Sequence, residues 1–331
     1  MNFWAARLIE IAFALVGAFV VPWAIMRALV PTLEDSGVAV ENFRGRCVTL
    51  GLGMVWVAWA AGVLLAEVCV AAGSMMWWAN WQDPPSSSAF AYFAPLTLVV
   101  GTALVGMADD VFGSGSDKGF RGHLSALRGG RLSTGAFKLL AIGLLAVGAT
   151  APEFLTVFTG ADASWLLARW GLAALAIALT ANLVNLLDLR PGRALKGYST
   201  LVVLGAVGLL VSGMRWDIVV TVLVVLLGPV AAVWRYDLGE RAMLGDAGAN
   251  AAGALAGWFA VFVLGRSMWA LAAYVAVVLA LNLASEKFSF SHVIEGNPAL
   301  NWLDMLGRLP LEEPNSETSD KSSREVVTTE K

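Results

Sequence analysis

Charged residues are scarce in this sequence, at 14% of 331 residues, where a soluble globular chain carries about 25%. Neither sign dominates, because 22 Lys and Arg face 25 Asp and Glu for a net charge of −3. This balance excludes a nucleic-acid binder driven by net charge. Apolar residues make up 58% of the chain, and the mean hydropathy is +0.71. Such a composition predicts a protein that crosses the lipid bilayer many times.

Cysteine and histidine are also rare, with two residues of each. Cys47 and Cys69 stand at opposite ends of one apolar stretch. If that stretch is helical, its rise separates their Cα atoms by about 33 Å, whereas a disulfide requires roughly 7 Å or less. A disulfide scaffold is therefore excluded.

Apolar runs predict nine membrane-spanning helices, because about 20 apolar residues are needed to cross a bilayer core of ~30 Å. They lie near residues 5–29, 48–72, 90–108, 137–157, 165–187, 198–214, 216–234, 250–265 and 267–284. Residues 1–285 are thus predicted to form an all-α polytopic bundle. The aromatic and charged residues 286–310 predict an interfacial amphipathic segment, and the polar residues 311–331 predict a disordered tail.

Basic residues are unequally shared between the two sides that these spans define. One side has Arg7, Arg169, Arg215 and Arg266, and most other basic residues fall on the opposite side. Basic loops tend to stay in the cytoplasm. The sequence therefore predicts a plasma-membrane protein with its N-terminus outside and its C-terminus in the cytoplasm.

Two adjacent acids, Asp109 and Asp110, follow the third predicted span. Their mutual repulsion favours a bound cation, and Mg²⁺ takes one or two carboxylates together with water and substrate phosphate. The alternative is a polar helix end in the headgroup region. These two residues alone leave both interpretations open.

Three polar residues, Asn182, Asn185 and Asp188, end the fifth predicted span. Their i, i+3, i+6 spacing places them along one face of a helix. Two amides and a carboxylate on one face can bind a sugar, a diphosphate or a metal-bound water. The alternative is hydrogen bonding between membrane helices, which is common for Asn.

A glycine-rich turn, residues 245–250, opens the eighth predicted span and contains Asp246. Free N–H groups at a helix N-terminus bind phosphate, and Asp246 is there either a metal ligand or a helix N-cap. All three clusters are predicted at cytoplasmic ends of spans. Together they predict a Mg²⁺-assisted phosphoryl-transfer site for a soluble phosphate compound and a lipid.

These residues resemble the motifs of the polyprenyl-phosphate N-acetylhexosamine-1-phosphate transferases, the glycosyltransferases of peptidoglycan and other cell-wall glycans. Residues 106–112 (GMADDVF) look like the family's aspartate-pair motif, and residues 182–192 (NLVNLLDLRPG) are similar to its Asn-x-x-Asn-x-x-Asp motif. Residues 243–248 (MLGDAG) are similar to its Gly-Asp-x-Gly motif. Residues 41–53 are a looser match to its first cytoplasmic loop.

The resemblance implies a role for each matching residue. Asp109, Asp110 and Asp188 would act in catalysis. Asp110 and Asp246 would bind Mg²⁺, with Mn²⁺ as an alternative ion. His292 stands roughly where the family has a histidine-rich motif, although it is equally interpreted as a surface residue. The implied substrate-binding residues are Asn182, Asn185, Arg46, Lys118, Lys138 and His292.

The implied reaction passes a sugar-1-phosphate from a UDP-N-acetyl amino sugar to undecaprenyl phosphate and releases UMP. Two departures motivate an alternative, because His292 stands alone and a tenth span is missing. The alternative is a catalytically silent relative that binds a lipid phosphate or an envelope-assembly partner. Dimers occur in the family, so a homodimer is a further expectation.

Overall fold

The computed structural model describes residues 3–78, 89–113, 122, 125–126, 128–157, 162–265 and 267–310. The helices of the bundle are α1 (Phe3–Leu15), α2 (Val21–Asp35), α3 (Met54–Trp78), α4 (Ala89–Phe112), α5 (Thr134–Val157), α6 (Ala163–Leu187), α7 (Arg193–Val211), α8 (Trp216–Leu238), α9 (Gly245–Leu264) and α10 (Met268–Ser285). A π-helical turn, Val16–Val20, joins α1 to α2. Two short helices, α11 (Phe290–Gly296) and α12 (Pro298–Met305), follow α10.

Within the described residues, eight helical segments are long and apolar enough to cross a membrane. They are Leu8–Asp35, Ala94–Phe112, Thr134–Pro152, Ala163–Leu187, Arg193–Val211, Trp216–Leu238, Gly245–Leu264 and Met268–Ser285. In α3 the apolar part is the shorter segment Met54–Val70, but the whole helix has 25 residues and overlaps the second predicted span. The predicted all-α polytopic membrane bundle is therefore confirmed.

Two of the predicted span starts differ from the helices in ways that bear on the site. The second predicted span starts at residue 48, but Cys47–Leu50 form a strand and α3 begins at Met54. The backbone hydrogen bonds of this strand go to neighbouring strands, which short-range hydropathy does not register. The eighth predicted span starts at residue 250, but α9 begins at Gly245. The glycine-rich turn is therefore the first turn of the helix itself.

A small three-stranded sheet lies at one end of the bundle. It consists of β1 (Ala39–Glu41), β2 (Cys47–Leu50) and β3 (Ala242–Met243), in that order. β1 and β2 form an antiparallel hairpin, and β2 runs parallel to β3. Because β3 leads almost directly into α9, the sheet fixes the start of α9 against the start of α3. The Leu52 N–H, for example, donates to the Met243 carbonyl at 3.1 Å.

The helix α9 stands at the centre of the bundle and is the most buried of the eight membrane-crossing candidates. It packs against α4, α6 and α7. Its buried face is composed largely of alanine and glycine. Small side chains allow membrane helices to approach closely, so α9 can hold the ends of several neighbouring helices together.

The π-helical turn packs tightly against α8. A Cβ atom added at Gly228 would lie 1.9 Å from the carbonyl oxygen of Ala18. Both partners are backbone, so neither can yield by a change of rotamer. This part of the bundle therefore requires a glycine on α8.

We expect Gly228→Ala to lower the free energy of unfolding by about 1–3 kcal/mol, because the added methyl group overpacks a closed contact. Thermal unfolding of the purified protein measures the loss. Gly143→Ala in α5 is the matched control, since a Cβ there has no neighbour within 4 Å and alanine is the better helix former. Equal melting temperatures for the two variants would contradict the close contact.

Candidate functional site

Polar side chains from four helices meet at the end of the bundle that carries the sheet. Asp109 and Asp110 lie in the last turn of α4, and Lys138 lies near the start of α5. Asp188 directly follows α6, and Asp246 lies in the first turn of α9. Since α4 and α6 end where α5 and α9 begin, the alternating direction of the helices brings these residues to the same end.

Asp110 connects α4 to the N-terminus of α9. Its Oδ1 accepts a hydrogen bond from the Asp246 N–H at 2.9 Å, and its Oδ2 accepts one from the Ala247 N–H at 3.0 Å. These N–H groups have no partner within their own helix, and the helix dipole favours a carboxylate at this position. Asp110 thus caps α9 from a neighbouring helix, with both of its oxygens engaged by the backbone.

Two glycines permit this contact. Gly245 has a φ of +65°, which favours glycine, and a Cβ there would lie 2.8 Å from Asp110 Oδ2. A Cβ at Gly106, one turn before Asp110, would lie 2.3 Å from the Asp246 carbonyl oxygen. The first glycines of two sequence motifs therefore allow α4 and α9 to touch.

Lys138 bridges two of the carboxylates. Its Nζ lies 2.7 Å from Asp109 Oδ2 and 2.5 Å from Asp246 Oδ2. The Lys138 side chain is largely buried, whereas the Asp246 side chain is 28% exposed. One cation is thus held between two carboxylates, and Asp246 remains accessible from outside the bundle.

Asp237 adds a buried carboxylate to the site, and Asp188 adds a half-buried one. Asp237 Oδ2 accepts a hydrogen bond from the Gly192 N–H at 2.8 Å. Burial raises the pKa of Asp188 well above its ordinary value, and the charges of Asp237, Asp246 and Asp110 raise it further, against a hydrogen bond from the backbone of Gly245. The carboxylate cluster consists of Asp109, Asp110, Asp188, Asp237 and Asp246.

Sequence reasoning missed Asp237. It lies three residues beyond the predicted span 216–234, but α8 continues to Leu238, so Asp237 is a helical residue and 3% exposed. The sequence does contain a signal for Asp237, namely an acidic residue at the end of an apolar helix. Burying a charge there is costly, so an acid in that position is a candidate functional residue.

The carboxylate cluster has five acids, and Lys138 is the basic residue in contact with it among the described ion pairs. No group of three or more His, Cys, Asp or Glu within the described ranges is arranged to hold a metal ion. Mg²⁺ does not need such a group, because water and substrate phosphate complete its coordination. Asp109 and Asp246 converge on one cation, and the buried Asn250 Oδ1, one turn after Asp246, has no hydrogen-bond partner in the described part of the chain. This oxygen-rich set of side chains fits Mg²⁺.

Comparison of the sequence with family models and curated proteins gives no family assignment. No family model matches the sequence, and no curated protein matches it. The function therefore rests on the residues of the site and on what they can do chemically.

The two asparagines of the second motif have different surroundings. Asn182 Nδ2 donates to Asn282 Oδ1 on α10 at 2.6 Å, so Asn182 forms the interhelical hydrogen bond considered as the alternative. Asn185 is half-buried, and its carbonyl accepts the Asp188 N–H at 3.1 Å. Its side-chain amide makes no hydrogen bond to the described residues, which leaves it available for a ligand.

The remaining predicted residues are Arg46, His292 and Lys118. Arg46 belongs to the turn between β1 and β2, where its N–H donates to Asn42 Oδ1 at 3.1 Å. His292 is exposed on α11, next to Ser291, whose hydroxyl accepts from Arg193 Nη1 at 2.7 Å. Lys118 lies outside the described residues.

Three arginines surround one aromatic ring beside the carboxylate cluster. The guanidinium carbons of Arg44, Arg190 and Arg308 lie 5.2, 4.2 and 5.2 Å from the centre of the Phe43 ring. Cation–π contacts of this kind hold like charges close together on a shared face. The turn of the β1–β2 hairpin is thereby joined to the residues that follow α6 and α12.

Asp304 forms a buried ion pair that sequence reasoning also missed. Its two carboxylate oxygens accept from Arg193 Nε and Nη2 at 2.9 Å each, and Arg308 Nη1 lies 2.7 Å away. Lys196 Nζ donates to the Asp304 carbonyl at 2.5 Å. These bonds hold α12 against the start of α7. The basic cluster consists of Arg44, Arg190, Arg193, Lys196 and Arg308, and three carboxylates, Glu240, Glu295 and Asp304, pair with its arginines.

Proposed function

We propose that this protein is a glycosyl-1-phosphate transferase. It takes a sugar-1-phosphate from a UDP-N-acetyl amino sugar and passes it to undecaprenyl phosphate, releasing UMP. The product is a lipid-linked precursor of a cell-envelope glycan. The observation that carries this proposal is the carboxylate cluster around Lys138, which lies at one end of a membrane helix bundle.

The position of the cluster suits a reaction between a lipid and a soluble compound. The side chains stand at the ends of membrane helices rather than at their midpoints. A lipid phosphate lies at that level of the bilayer, and a nucleotide can reach the same level from water. Buried acids in such a protein are costly, and a role in binding or catalysis explains why they are present.

The proposed step is a displacement at phosphorus. An oxygen of the lipid phosphate attacks the β-phosphorus of the sugar nucleotide and forms a new P–O bond. The bond from the β-phosphorus to the bridging oxygen breaks, and UMP departs with that oxygen and its electron pair. The lipid then carries the sugar through a diphosphate, and no proton has to move if the attacking phosphate is a dianion.

Each residue of the cluster has a proposed part in this step. Bound Mg²⁺ or Mn²⁺ would neutralise the diphosphate and stabilise the charge that develops on the leaving group. Asp246 and Asp109 would hold the ion beside Lys138, since their carboxylates converge there. Asp110 would keep the N-terminus of α9 in place, and Lys138 would supply positive charge beside the transferred group.

The basic cluster supports the binding of an anionic nucleotide next to this site. It contains five basic side chains against three paired carboxylates, so its positive charge is in excess. Gly192, whose N–H binds Asp237, is the neighbour of Arg193. The two clusters therefore adjoin, and arginines are well suited to bind phosphate.

The proposed active site faces the cytoplasm of the cell that bears this plasma-membrane protein. The support is the charge at the two ends of the bundle. The end with the carboxylate cluster also holds the basic cluster, Arg235 and Arg241, while Arg169 and Arg215 lie towards the other end. Basic residues favour the cytoplasmic side of a membrane.

The test is UMP release by the purified protein in nanodiscs that contain undecaprenyl phosphate, with a panel of UDP-N-acetyl amino sugars. We expect release from at least one donor, and we expect that release to require both the lipid and Mg²⁺. Omission of the lipid or addition of a chelator is the internal control. If no donor in the panel gives UMP release, although the protein is shown to bind lipid and metal, the proposal is contradicted and the catalytically silent alternative is favoured.

A further inference from the structure

A cavity lies between α2 and α8, and none of its lining residues belongs to the carboxylate cluster. Its volume is about 400 Å³, and it is lined by Trp23, Arg27, Arg235 and Tyr236. Two residues come from each helix. Neither the sequence motifs nor the proposed transferase site uses any of the four.

The two arginines of this cavity have no acidic partner among the described residues. Arg27 and Arg235 are both exposed, and no carboxylate in the described part of the chain pairs with either. The nearby Arg241 differs, because its Nη2 lies 2.9 Å from Glu34 Oε1. Two positive charges that no described carboxylate neutralises make the cavity a site that attracts an anion.

Aromatic rings support both guanidinium groups. Arg27 lies over the Trp23 ring at 5.5 Å, and Arg235 lies over the Tyr236 ring at 5.7 Å from the ring centre. These contacts hold the guanidinium groups in place by their faces, so the N–H groups at their edges stay available to an anion. Trp and Tyr are also the side chains that favour the headgroup level of a membrane.

The cavity lies near one end of the membrane-crossing segments, where we expect the membrane surface. Arg235 lies within the last turn of α8, and Arg27 is about 12 Å before the end of α2 at the rise of an α-helix. The ion pair of Glu34 and Arg241 lies farther along the chain, at the ends of α2 and α8. Both helices belong to segments that are long and apolar enough to cross a membrane.

We propose that this cavity binds the phosphate of an anionic lipid headgroup. Paired guanidinium groups recognise phosphate oxygens through short, charge-assisted hydrogen bonds. A lipid places its phosphate at the level of the two arginines and its acyl chains along the exposed apolar surfaces of α2 and α8, which include Trp23 and Val220. Free phosphate has the same oxygen chemistry but gains nothing from those apolar surfaces.

This inference does not depend on transferase activity. The cavity and the carboxylate cluster share no residue, so either assignment can fail while the other holds. The site would anchor α2 to α8 through a bound lipid and would make the stability of the protein sensitive to the anionic lipid content of the bilayer.

The experiment is native mass spectrometry of the full chain in detergent, titrated with phosphatidylglycerol or with phosphatidylcholine. We expect a preference for phosphatidylglycerol that the double variant Arg27→Gln, Arg235→Gln weakens by about 25-fold, from roughly fivefold for each arginine near the membrane surface. Replacement of both arginines by lysine keeps the charges and should retain most of the affinity.

Arg131→Gln is the matched control, because Arg131 is also exposed, lies at the same end of the bundle and is outside the cavity. It should bind phosphatidylglycerol as the wild type does. Melting temperatures without added lipid establish that the glutamine variants are folded. Equal phosphatidylglycerol affinity in the double variant would overturn the proposal. Stabilisation by millimolar inorganic phosphate through the same arginines, without retention of lipid, would assign the cavity to a soluble phosphate and overturn the lipid assignment.

Discussion

Asp246→Asn is expected to lower Mg²⁺-dependent UMP release by about 10³-fold, equivalent to ~4 kcal/mol of transition-state stabilisation. The substitution removes the negative charge that Lys138 contacts at 2.5 Å and that is proposed to hold the metal ion. The variant should still fold, because the main contacts of residue 246 with its helix neighbours use its backbone. Its N–H donates to Asp110 and its carbonyl accepts from Asn250. Steady-state assays over a range of Mg²⁺ concentrations measure the effect.

Asp162→Asn is the control for this change. Asp162 caps the opposite end of α6, where its Oδ1 accepts from the Ser164 and Trp165 N–H groups. Asparagine is as good an N-cap as aspartate, so the same chemical change should leave both stability and UMP release unaltered. Unchanged release by folded Asp246→Asn would refute the assignment of Asp246 to the reaction.

Hydropathy was sufficient to predict the bundle, because a membrane-crossing helix must be apolar over nearly its whole length. The helices α5, α6, α8 and α10 begin within about three residues of their predicted starts. The strand Cys47–Leu50 was not predictable in this way. It is as apolar as the helix that follows it, and its partners are residues 39–41 and 242–243. Only the tertiary contacts distinguish it from the start of a span.

The candidate site was predictable where the chemistry is local. Asp109, Asp110 and Asp246 stand in short motifs, and the structure brings them together. The different contacts of the three carboxylates were not predictable. Asp110 accepts hydrogen bonds from the backbone of α9, and Asp109 and Asp246 both contact Lys138, but these contacts form only when α4, α5 and α9 pack together.

Residues whose partners are far away in the sequence were not predicted. Asp304 lies in a segment whose pattern indicates an amphipathic surface helix, yet it binds Arg193, which is 111 positions away in the chain. Arg27 stands within a predicted span, and its aromatic and basic neighbours on α8 appear only in the folded bundle. No local pattern encodes either pairing.

Asp304→Asn is expected to destabilise the docking of α11 and α12 by about 3 kcal/mol, which is typical when one partner of a buried ion pair is removed. The side chains of Arg193 and Arg308 are each 4% exposed, so both guanidinium groups would stay buried without their carboxylate. Hydrogen exchange of the amides in residues 290–305 measures the effect, and opening should be about 10²-fold more frequent. Glu295→Gln is the control from the same segment, since the pair of Glu295 with Arg190 is more exposed and 3.4 Å long, and such pairs contribute about 0–1 kcal/mol.

The pH dependence of this docking provides an independent check. Burial by itself raises the pKa of Asp304, but the hydrogen bonds and charges of Arg193, together with the charges of Arg308 and Lys196, hold it below its usual value. A carboxyl whose pKa is lower in the folded state stabilises that state above its unfolded pKa of about 3.9, and the stabilisation is lost as the pH falls below that value. The difference in exchange between wild type and Asp304→Asn should therefore be full at neutral pH and shrink as the solution is acidified through that range. A difference that stays constant on acidification would mean that the carboxylate charge does not hold α12 in place, and that the loss in the variant comes from packing alone.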